Sequence, residues 1–311
     1  MRRYVFRMKQ FAFFILLLVA VKPFGLYAGE NFVAKGSLSE SSLSLKSEVT
    51  AEIKDLGAPS LECAAAIVVD NKTDQVLFQK NCDDKRPIAS ITKLLAAIVL
   101  VESEFDLEKM AMIENSDSIF STQSKLKIGE IFYAKDLFYA ALISSDNRAI
   151  RALARNNGMA YSDFVKKMNK KAGELGLDST SVVDPSGVFS NDKSSARDCA
   201  RLLNYALRYP LIKSALICKH YKFRSLNHRR WIHIANTNRL LDSEWEVEGG
   251  KTGYISASGY CLAAKMADKR GNNITVVVLG ARSNGKRFAN VHALASWAFD
   301  TLNHKLAEGG E

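Results

Sequence analysis

The chain contains 311 residues, of which 47% are hydrophobic, and it carries a formal net charge of +10. This length and apolar content suffice for one large domain or a two-lobed one. Five cysteines, an odd number, exclude a disulfide scaffold in a chain this long. The five histidines form no ligand pattern with them, so neither a metal nor another cofactor is expected. The basic residues are scattered without an aromatic-rich binding motif, which excludes a recognisable nucleic-acid module.

The N-terminal segment resembles a secretory signal. Basic residues from Arg2 to Lys9 precede an apolar run from Phe11 to Val21, and small residues approach Ala28. Eleven apolar residues are too few to span a bilayer. Residues 1–28 are therefore predicted to be a signal peptide, and the mature chain to be exported, without a transmembrane span, to the periplasm or cell envelope. Removing them takes away five basic and no acidic residues, so the net charge falls from +10 to +5.

A polar segment separates this signal from the predicted domain. Residues 29–60 contain six serines between Ser37 and Ser47, which predicts a flexible linker. The domain itself is predicted to run from residue 61 to residue 305.

The domain opens with a pair of predicted strands near residues 63–70 and 75–80, around a polar turn. If Asp70 faces Gln75 across this turn, then Cys63 faces Cys82. A disulfide between these two cysteines is then open as an alternative to free thiols, because the predicted compartment is oxidising. The other three cysteines are predicted to be buried thiols.

Helical patterns dominate from about residue 88 to residue 208. Strands return near residues 220–224, 231–235, 258–268 and 273–281, and a last helix ends near Leu302. The basic run that covers residues 219–231 predicts a strand pair with a solvated turn. Terminal strands around a helical middle imply an α+β fold, in which both chain ends form an antiparallel sheet with packed helices and a helical lobe. The seam between the sheet edge and this lobe is the expected position of a functional site.

The pattern Ser-x-x-Lys occurs at four positions: Ser90, Ser124, Ser190 and Ser283. Only the first is followed by a long run without Gly or Pro that is apolar nearly all round, which predicts a buried helix. Ser90 then lies in the first turn, with Lys93 one turn on along the same face. The N-terminus of a helix offers free N–H groups and a partial positive charge to developing negative charge. The other three copies lie in polar stretches, and none is predicted to open an apolar helix.

The second motif is Ser145-Asp146-Asn147, which falls between two helical patterns. At such a junction, side chains can turn into a cleft. Ser145 is expected to relay a proton to a leaving amine, and Asn147 to hold both the substrate amide and Lys93. Taken alone, the motif is equally typical of a simple polar turn.

The third motif, Lys251-Thr252-Gly253, occurs once, after the turn signal Gly249-Gly250 and at the start of a predicted strand. A cation and a hydroxyl there can bind a substrate carboxylate, and Gly253 lets substrate backbone approach closely. The backbone N–H groups of Ser90 and Tyr254 are the candidate oxyanion donors.

The residue types suit covalent catalysis. A serine hydroxyl is a poor nucleophile at neutral pH and needs an adjacent base. Lys93 can serve as that base only if burial and a nearby positive charge lower its pKa. Lys251 is the hypothetical source of the positive charge. The three motifs, in this order, predict a serine acyl-transfer site of the penicillin-recognising kind.

From about Cys63 to Leu302, the chain resembles the serine D-alanyl-D-alanine carboxypeptidase and endopeptidase family, the low-molecular-mass penicillin-binding proteins. The connecting segments that also carry this resemblance are Leu175-Gly176-Leu177, Asp184-Pro185-Ser186-Gly187, Ala196-Arg197-Asp198 and Asn236-Thr237-Asn238-Arg239-Leu240-Leu241. The resemblance implies a β-lactamase/transpeptidase-like fold and acylation of the motif serine by peptidoglycan stem peptides that end in D-Ala-D-Ala. It also implies hydrolysis of that acyl-enzyme and inhibition by β-lactams.

Within the family, two features favour the endopeptidase branch, similar to the penicillin-binding protein 7 type. The second motif continues into Arg148-Ala149, where typical carboxypeptidases of the family resemble Ser-Gly-Asn-Asp-Ala. The chain also ends soon after the predicted domain, whereas many carboxypeptidase relatives carry a further β-rich domain and an amphipathic helix. Carboxypeptidase activity remains the alternative.

Three functions other than that of a D-Ala-D-Ala peptidase fit the sequence less well. A class A β-lactamase shares the three motifs but needs a glutamate that activates the deacylating water, with an asparagine four residues later. Between Arg148 and Asp198 the one glutamate is Glu174, which is followed at that distance by Asp178. A non-catalytic penicillin-binding scaffold would have little use for the complete set of motif residues. An exported binding module would require the ordered motifs to be accidental.

Overall fold

The main sheet of the protein is built from both ends of the domain, as the sequence predicts. The computed structural model describes residues 57–119 and 124–308, so the predicted signal peptide and nearly all of the predicted linker lie outside the described residues. The strands of the sheet are β1 (Ala65–Asp70), β2 (Val76–Lys80), β9 (Glu246–Ile255), β10 (Gly259–Ala267) and β11 (Asn273–Ala281). They are ordered β2-β1-β11-β10-β9, and every neighbouring pair is antiparallel.

Three short strand pairs lie outside this sheet. They are β3 (Arg86–Pro87) with β6 (Lys193–Ser194), β4 (Met110–Met112) with β5 (Ile131–Tyr133), and β7 (His220–Arg224) with β8 (Trp231–Ala235). The β7–β8 hairpin has the bounds that the sequence predicts. The first two pairs are absent from the sequence prediction because strands of two or three residues are too short to show a period.

The helices occupy the middle and the end of the domain. They are α1 (Thr92–Glu102), α2 (Ala134–Ile143), α3 (Asn147–Asn156), α4 (Tyr161–Glu174), α5 (Ala196–Ala206), α6 (Pro210–Ile217) and α7 (Asn284–Glu308). No helix within residues 57–119 and 124–308 is long and apolar enough to cross a bilayer.

Both faces of the sheet are buried. Successive side chains of a strand point to opposite sides, so each strand contributes to two separate cores. In β1, Ala65 and Ile67 join a large core with the helical lobe, whereas Ala66 and Val68 join a second core. The second core is completed by α7, which contributes apolar side chains such as Leu294. The central strands therefore read as continuous apolar runs rather than as alternating ones.

Helix α1 runs through the interior of the larger core. Every residue from Thr92 to Leu100 is fully buried. Such a helix must be apolar all round, which is the pattern that its sequence shows. The one charged side chain in this buried run is Lys93. Apolar packing does not explain a lysine at this position.

The β1–β2 hairpin decides between the two alternatives for Cys63 and Cys82, a disulfide or free thiols. Asp70 does bind Gln75 across the turn, through a 2.9 Å N–H···O bond. A β-bulge between Val68 and Val69 then shifts the register by one residue. Because one residue of slip changes the face of every later side chain, the two cysteines belong to opposite cores. All five cysteines have free thiols.

Two element boundaries also differ from the sequence prediction. Strand β9 begins at Glu246, so Gly249-Gly250 lies inside the strand and the Lys-Thr-Gly motif lies in its second half. Helix α7 begins at Asn284, with Ser283 accepting a bond from the Lys286 N–H at 3.2 Å. This Ser-x-x-Lys copy therefore does begin a helix, which its polar first turn conceals.

Candidate active site

Ser90 lies in a short 3-10 helix, Ala89–Ile91, that continues directly into α1. Ala89 has a φ of 47°, in the left-handed region that a residue other than glycine rarely adopts. The segment is held there by close backbone packing. A Cβ on Gly187 would overlap the Ala89 carbonyl, and a Cβ on Gly253 would lie 3.0 Å from the Ser90 nitrogen. The partly exposed serine is thus fixed between two glycines that no larger residue can replace without a shift.

Lys93 is fully buried, one turn after Ser90, and its amino group is surrounded by oxygen atoms. Lys93 Nζ lies 2.8 Å from Ser90 Oγ, 2.6 Å from Asn147 Oδ1 and 2.7 Å from the Ser186 carbonyl oxygen. Burial lowers the pKa of Lys93 to about 7, although the nearby carboxylates, Asp184 first among them, act in the opposite direction. A large neutral fraction at physiological pH makes this amine a competent base for Ser90.

The Ser145-Asp146-Asn147 motif lies at the junction of α2 and α3, as predicted. Asp146 is the N-cap of α3 and accepts the Ala149 N–H at 3.1 Å. This cap fixes the direction of the chain, so that Asn147, the first helical residue, points at Lys93. Ser145, with a φ of 61°, lies on the bend and points towards β9.

Lys251, on β9, completes the contact between the sheet and the helical lobe. Its Nζ donates to Ser145 Oγ at 2.8 Å and to the Thr252 carbonyl at 3.1 Å. Burial lowers the pKa of Lys251 well below its ordinary value, and the positive charges of Lys93 and Arg287 act in the same direction. From the sequence, burial and the positive charge of Lys251 were together expected to lower the pKa of Lys93. In the structure, burial lowers the pKa of Lys93, and the charges that act on it are those of carboxylates, which raise it.

The remaining predicted residues extend along β9. Thr252 Oγ1 lies 2.6 Å from the hydroxyl of Thr237, so the two threonines form a polar edge. Gly253 brings the strand against the backbone of Ser90, as its hypothetical Cβ shows. Tyr254 follows, half exposed, with its ring stacked on Tyr260 at 4.2 Å between centroids. This arrangement brings β9 alongside the turn that carries Ser90, which is what an oxyanion hole from the Ser90 and Tyr254 N–H groups requires.

These side chains open into a groove of about 1080 Å³. Its walls are the α2–α3 junction, the end of β8, the segment 188–190 and the second half of β9. Among the described residues that line it, Asp146 is the one carboxylate, and its second oxygen is occupied by Ser124 Oγ at 2.7 Å. The groove is therefore suited to an anionic ligand.

Two groups in the site were not found from the sequence. Arg287, on α7, lines the groove and donates to the carbonyls of Gly253 and Cys261 at 3.1 and 3.4 Å. Burial lowers its pKa to about 10. No local pattern marks this arginine, because it reaches the site only when α7 packs on the sheet.

The second missed group is the buried pair Arg151–Asp184. Asp184 also accepts the Ser186 N–H at 2.8 Å and the Tyr161 hydroxyl at 2.8 Å. The pair thereby orients the Ser186 carbonyl, which accepts from Lys93. The sequence showed the Asp-Pro-Ser-Gly segment only as part of the resemblance, without a role.

The glutamate that a class A β-lactamase would need is not in the groove. Glu174 is the last residue of α4, where Lys171 Nζ lies 2.6 Å from its carboxylate. It is exposed and does not line the cavity that contains Ser90. A water activated by this residue therefore cannot attack an acyl group on Ser90.

The same arrangement of sheet and helices occurs in a solved structure. The Streptomyces K15 DD-transpeptidase superimposes with a TM-score of 0.73 over 78% of this chain and 99% of that one. At 24% identity, this likeness establishes the fold alone.

Sequence comparison is more specific. A D-alanyl-D-alanine endopeptidase of Pseudomonas aeruginosa is 35% identical over 242 residues, which are 76% of this chain and 77% of that protein. The D-alanyl-D-alanine carboxypeptidase DacF of Bacillus subtilis is 34% identical over 247 residues, 76% of this chain and 62% of that protein. Residues 52–283 match the family described as D-alanyl-D-alanine carboxypeptidase. The chain therefore belongs to this family of serine D-Ala-D-Ala peptidases.

Proposed function

We propose that this protein is a D-alanyl-D-alanine endopeptidase that cleaves peptide cross-links of peptidoglycan through an acyl-enzyme on Ser90. The observation that carries the proposal is the 2.8 Å contact between Ser90 Oγ and a fully buried Lys93 whose pKa is lowered to about 7. A serine and a neutral amine at this distance form a nucleophile–base pair without a histidine.

In the acylation step, Ser90 Oγ attacks the carbonyl carbon of the D-alanine before the scissile bond, and its proton passes to Lys93. The oxygen of the tetrahedral intermediate accepts from the N–H groups of Ser90 and Tyr254. The C–N bond then breaks as Ser145 protonates the leaving amine. Lys251, 2.8 Å from Ser145 Oγ, resupplies that proton. Its lowered pKa makes its ammonium group a stronger acid than that of an ordinary lysine.

In the deacylation step, water attacks the ester carbonyl while Lys93 and Lys251 return to their initial protonation states. The proton that Lys93 gained in acylation returns to Ser90 Oγ as the ester bond breaks, and a proton from water restores Lys251. Asn147, 2.6 Å from Lys93, holds the amine in place through both steps. Thr252 and the cations around the groove bind the carboxylate on the leaving side of the substrate.

One finding favours a cross-link over a free peptide end as the substrate. The Pseudomonas relative, of which this chain covers 77%, is named an endopeptidase. A carboxypeptidase is the second candidate, favoured by the name of the Bacillus relative.

The proposed place of action is the cell envelope, reached through the predicted signal at residues 1–28, and the proposed inhibitors are β-lactams. A β-lactam presents a strained amide to Ser90, so it forms an acyl-enzyme of the same kind as the substrate.

The test is a chromatographic digest with purified protein. Cross-linked sacculi and monomeric pentapeptides are the two substrates, and Ser90→Ala and penicillin-treated protein are the controls. Loss of cross-linked peptides, abolished in both controls, is the expected result. Release of D-alanine from pentapeptides alone would make the protein a carboxypeptidase. Rapid hydrolysis of penicillin with neither reaction would overturn both assignments.

A further inference from the structure

The β7–β8 hairpin presents an unusual solvent face, here named the outer face. It consists of the alternate residues His220, Lys222 and Arg224 from β7 and Trp231 and His233 from β8, all exposed. Trp231 is 53% exposed. The opposite face of the hairpin supplies its packing, since Phe223, Ile232 and Ile234 are buried in the larger core. The residues of the outer face therefore do not contribute to the packing of the hairpin on the core.

The cations of the outer face are gathered around the indole. Lys222 Nζ lies 4.4 Å from the centroid of the Trp231 ring, and the Arg224 guanidinium carbon lies 5.6 Å from it. Within the part of the chain that the structure describes, neither cation belongs to an ion pair. Their neighbours differ, because Lys219 binds Asp242 at 2.7 Å and Arg230 binds Glu130 at 2.6 Å. Two cations beside an exposed indole are thus left available for an anionic ligand.

The outer face is continuous with the catalytic groove. Ala235, the residue that ends β8, lines the groove, and so does Lys125. Lys125 Nζ donates to the His233 carbonyl at 2.7 Å, so it links the rim of the groove to the strand that carries Trp231. On the outer face, His220 and His233 come first after Ala235. An extended ligand that leaves the groove past Ala235 and continues along the hairpin then reaches the cations and the indole.

We propose that the outer face is a docking surface for the acidic stem peptides of peptidoglycan, an assignment that rests on the proposed function. Stem peptides carry free carboxylates, which complement Lys222 and Arg224. The sugars to which they are attached have apolar C–H faces that can pack on the exposed indole of Trp231. The surface would hold the strand on one side of a cross-link while the groove holds the bond to be cleaved.

The test compares two double variants that change the charge equally. Lys222→Glu/Arg224→Glu reverses the outer face, and Lys269→Glu/Arg270→Glu reverses two exposed cations in the turn between β10 and β11. Both are made in the Ser90→Ala background, so that sacculi are bound without being cut, and binding is measured by co-sedimentation across a salt series. We expect the hairpin variant to lose about 10-fold in affinity, equivalent to about 1.4 kcal/mol. The turn variant should bind as the Ser90→Ala parent does.

A third variant, Trp231→Ala, isolates the indole and should weaken binding without changing its salt dependence. Equal losses in the two charge variants would overturn the proposal, because the effect would then be one of net charge. Binding to phosphatidylglycerol vesicles with no binding to sacculi would assign the surface to lipid and would also overturn it.

The same variants with Ser90 retained separate this proposal from the proposed function. Unchanged acylation by fluorescent penicillin shows that fold and site are intact. If sacculi are bound through the hairpin but no cross-link is cut, the docking surface stands and the endopeptidase assignment falls. If cross-links are cut and the hairpin variant binds sacculi normally, the docking surface falls alone.

Discussion

A lysine inside an apolar helix determines the chemistry of the site at the scale of single residues. An ammonium group at the position of Lys93 would lose its hydration, and the acceptors around it replace water only in part. Burial therefore outweighs the attraction of Asp184, Asp146 and Asp192, and lowers the pKa of Lys93 to about 7. The amine can exist without its proton at the pH at which it must accept one from Ser90.

The first prediction concerns the pH dependence of acylation. Because the neutral form of Lys93 is the proposed base, the acylation rate with fluorescent penicillin should rise as the pH increases through about 7. Asn147→Asp places a carboxylate where an amide oxygen now lies 2.6 Å from Lys93 Nζ. An adjacent opposite charge should raise the pKa of the amine by about 1–3 and move the profile to higher pH.

Asn147→Ala is the control for this experiment, since it removes the contact without adding a charge. Its rate should be lower at every pH, without the upward displacement of the profile. A profile that falls with increasing pH, or that Asn147→Asp leaves in place, would contradict the role of Lys93 as the base.

The sequence predicted the residues of the site, but it did not predict the contacts between residues that are far apart in the chain. The Ser90–Lys93 contact could be predicted because one turn of helix fixes the spacing. The contact of Lys251 with Ser145 joins residues that are 106 positions apart, and no local pattern encodes it. Arg287 was missed for the same reason.

At the scale of elements, the close packing of β9 on the turn that carries Ser90 is the feature that forms the site. Gly253→Ala would bring a methyl group to 2.8 Å from the Ile88 carbonyl and 3.0 Å from the Ser90 nitrogen. We expect the turn to be displaced and penicillin acylation to slow about 100-fold, the usual cost of a small misplacement of reacting groups.

Gly173→Ala is the control, because no atom beyond its chain neighbours and the backbone of its own helix lies within 4 Å of its Cβ position in α4. It should acylate normally and unfold at a slightly higher temperature, since alanine favours a helix by about 1 kcal/mol over glycine. Normal acylation in the Gly253→Ala protein would show that the approach of β9 does not position Ser90.

The link between α3 and the segment that holds the Ser186 carbonyl gives a third prediction. Arg151→Met would leave Asp184 buried without its cation, and breaking a buried pair in this way costs about 3–5 kcal/mol. Equilibrium denaturation in urea measures the loss. Replacing both partners, in Arg151→Met/Asp184→Asn, should recover part of the stability because no unpaired charge remains. A single variant as stable as the parent would show that the pair is not a structural link.

At the scale of the whole molecule, the architecture followed from the position of apolar runs near both ends of the domain. Runs such as Asn273–Ala281 could be assigned to a buried sheet because they are short, β-branched and continuous. The register of β1 with β2 could not, since a bulge at Val68 depends on packing against both cores. The true start of α7 was concealed by a polar first turn.

The corrected register leads to a prediction for the whole chain. Denatured, unreduced protein should show five reactive thiols, because none of its cysteines is paired. In the native state, Cys63, Cys82, Cys199 and Cys261 should react slowly with iodoacetamide at neutral pH, since burial raises the pKa of each thiol. A count of three in the denatured protein would indicate a disulfide and contradict the register.

The central claim is that one serine of four in the same short pattern is the nucleophile. The most direct measurement is peptide mapping by mass spectrometry after treatment with benzylpenicillin. Two of the other copies, Ser124 and Ser190, line the same groove, so the experiment discriminates between neighbours. We predict a single penicilloyl adduct, on Ser90, that is absent from the Ser90→Ala protein. An adduct on Ser124 or Ser190, or labelling that persists in Ser90→Ala, would contradict the account.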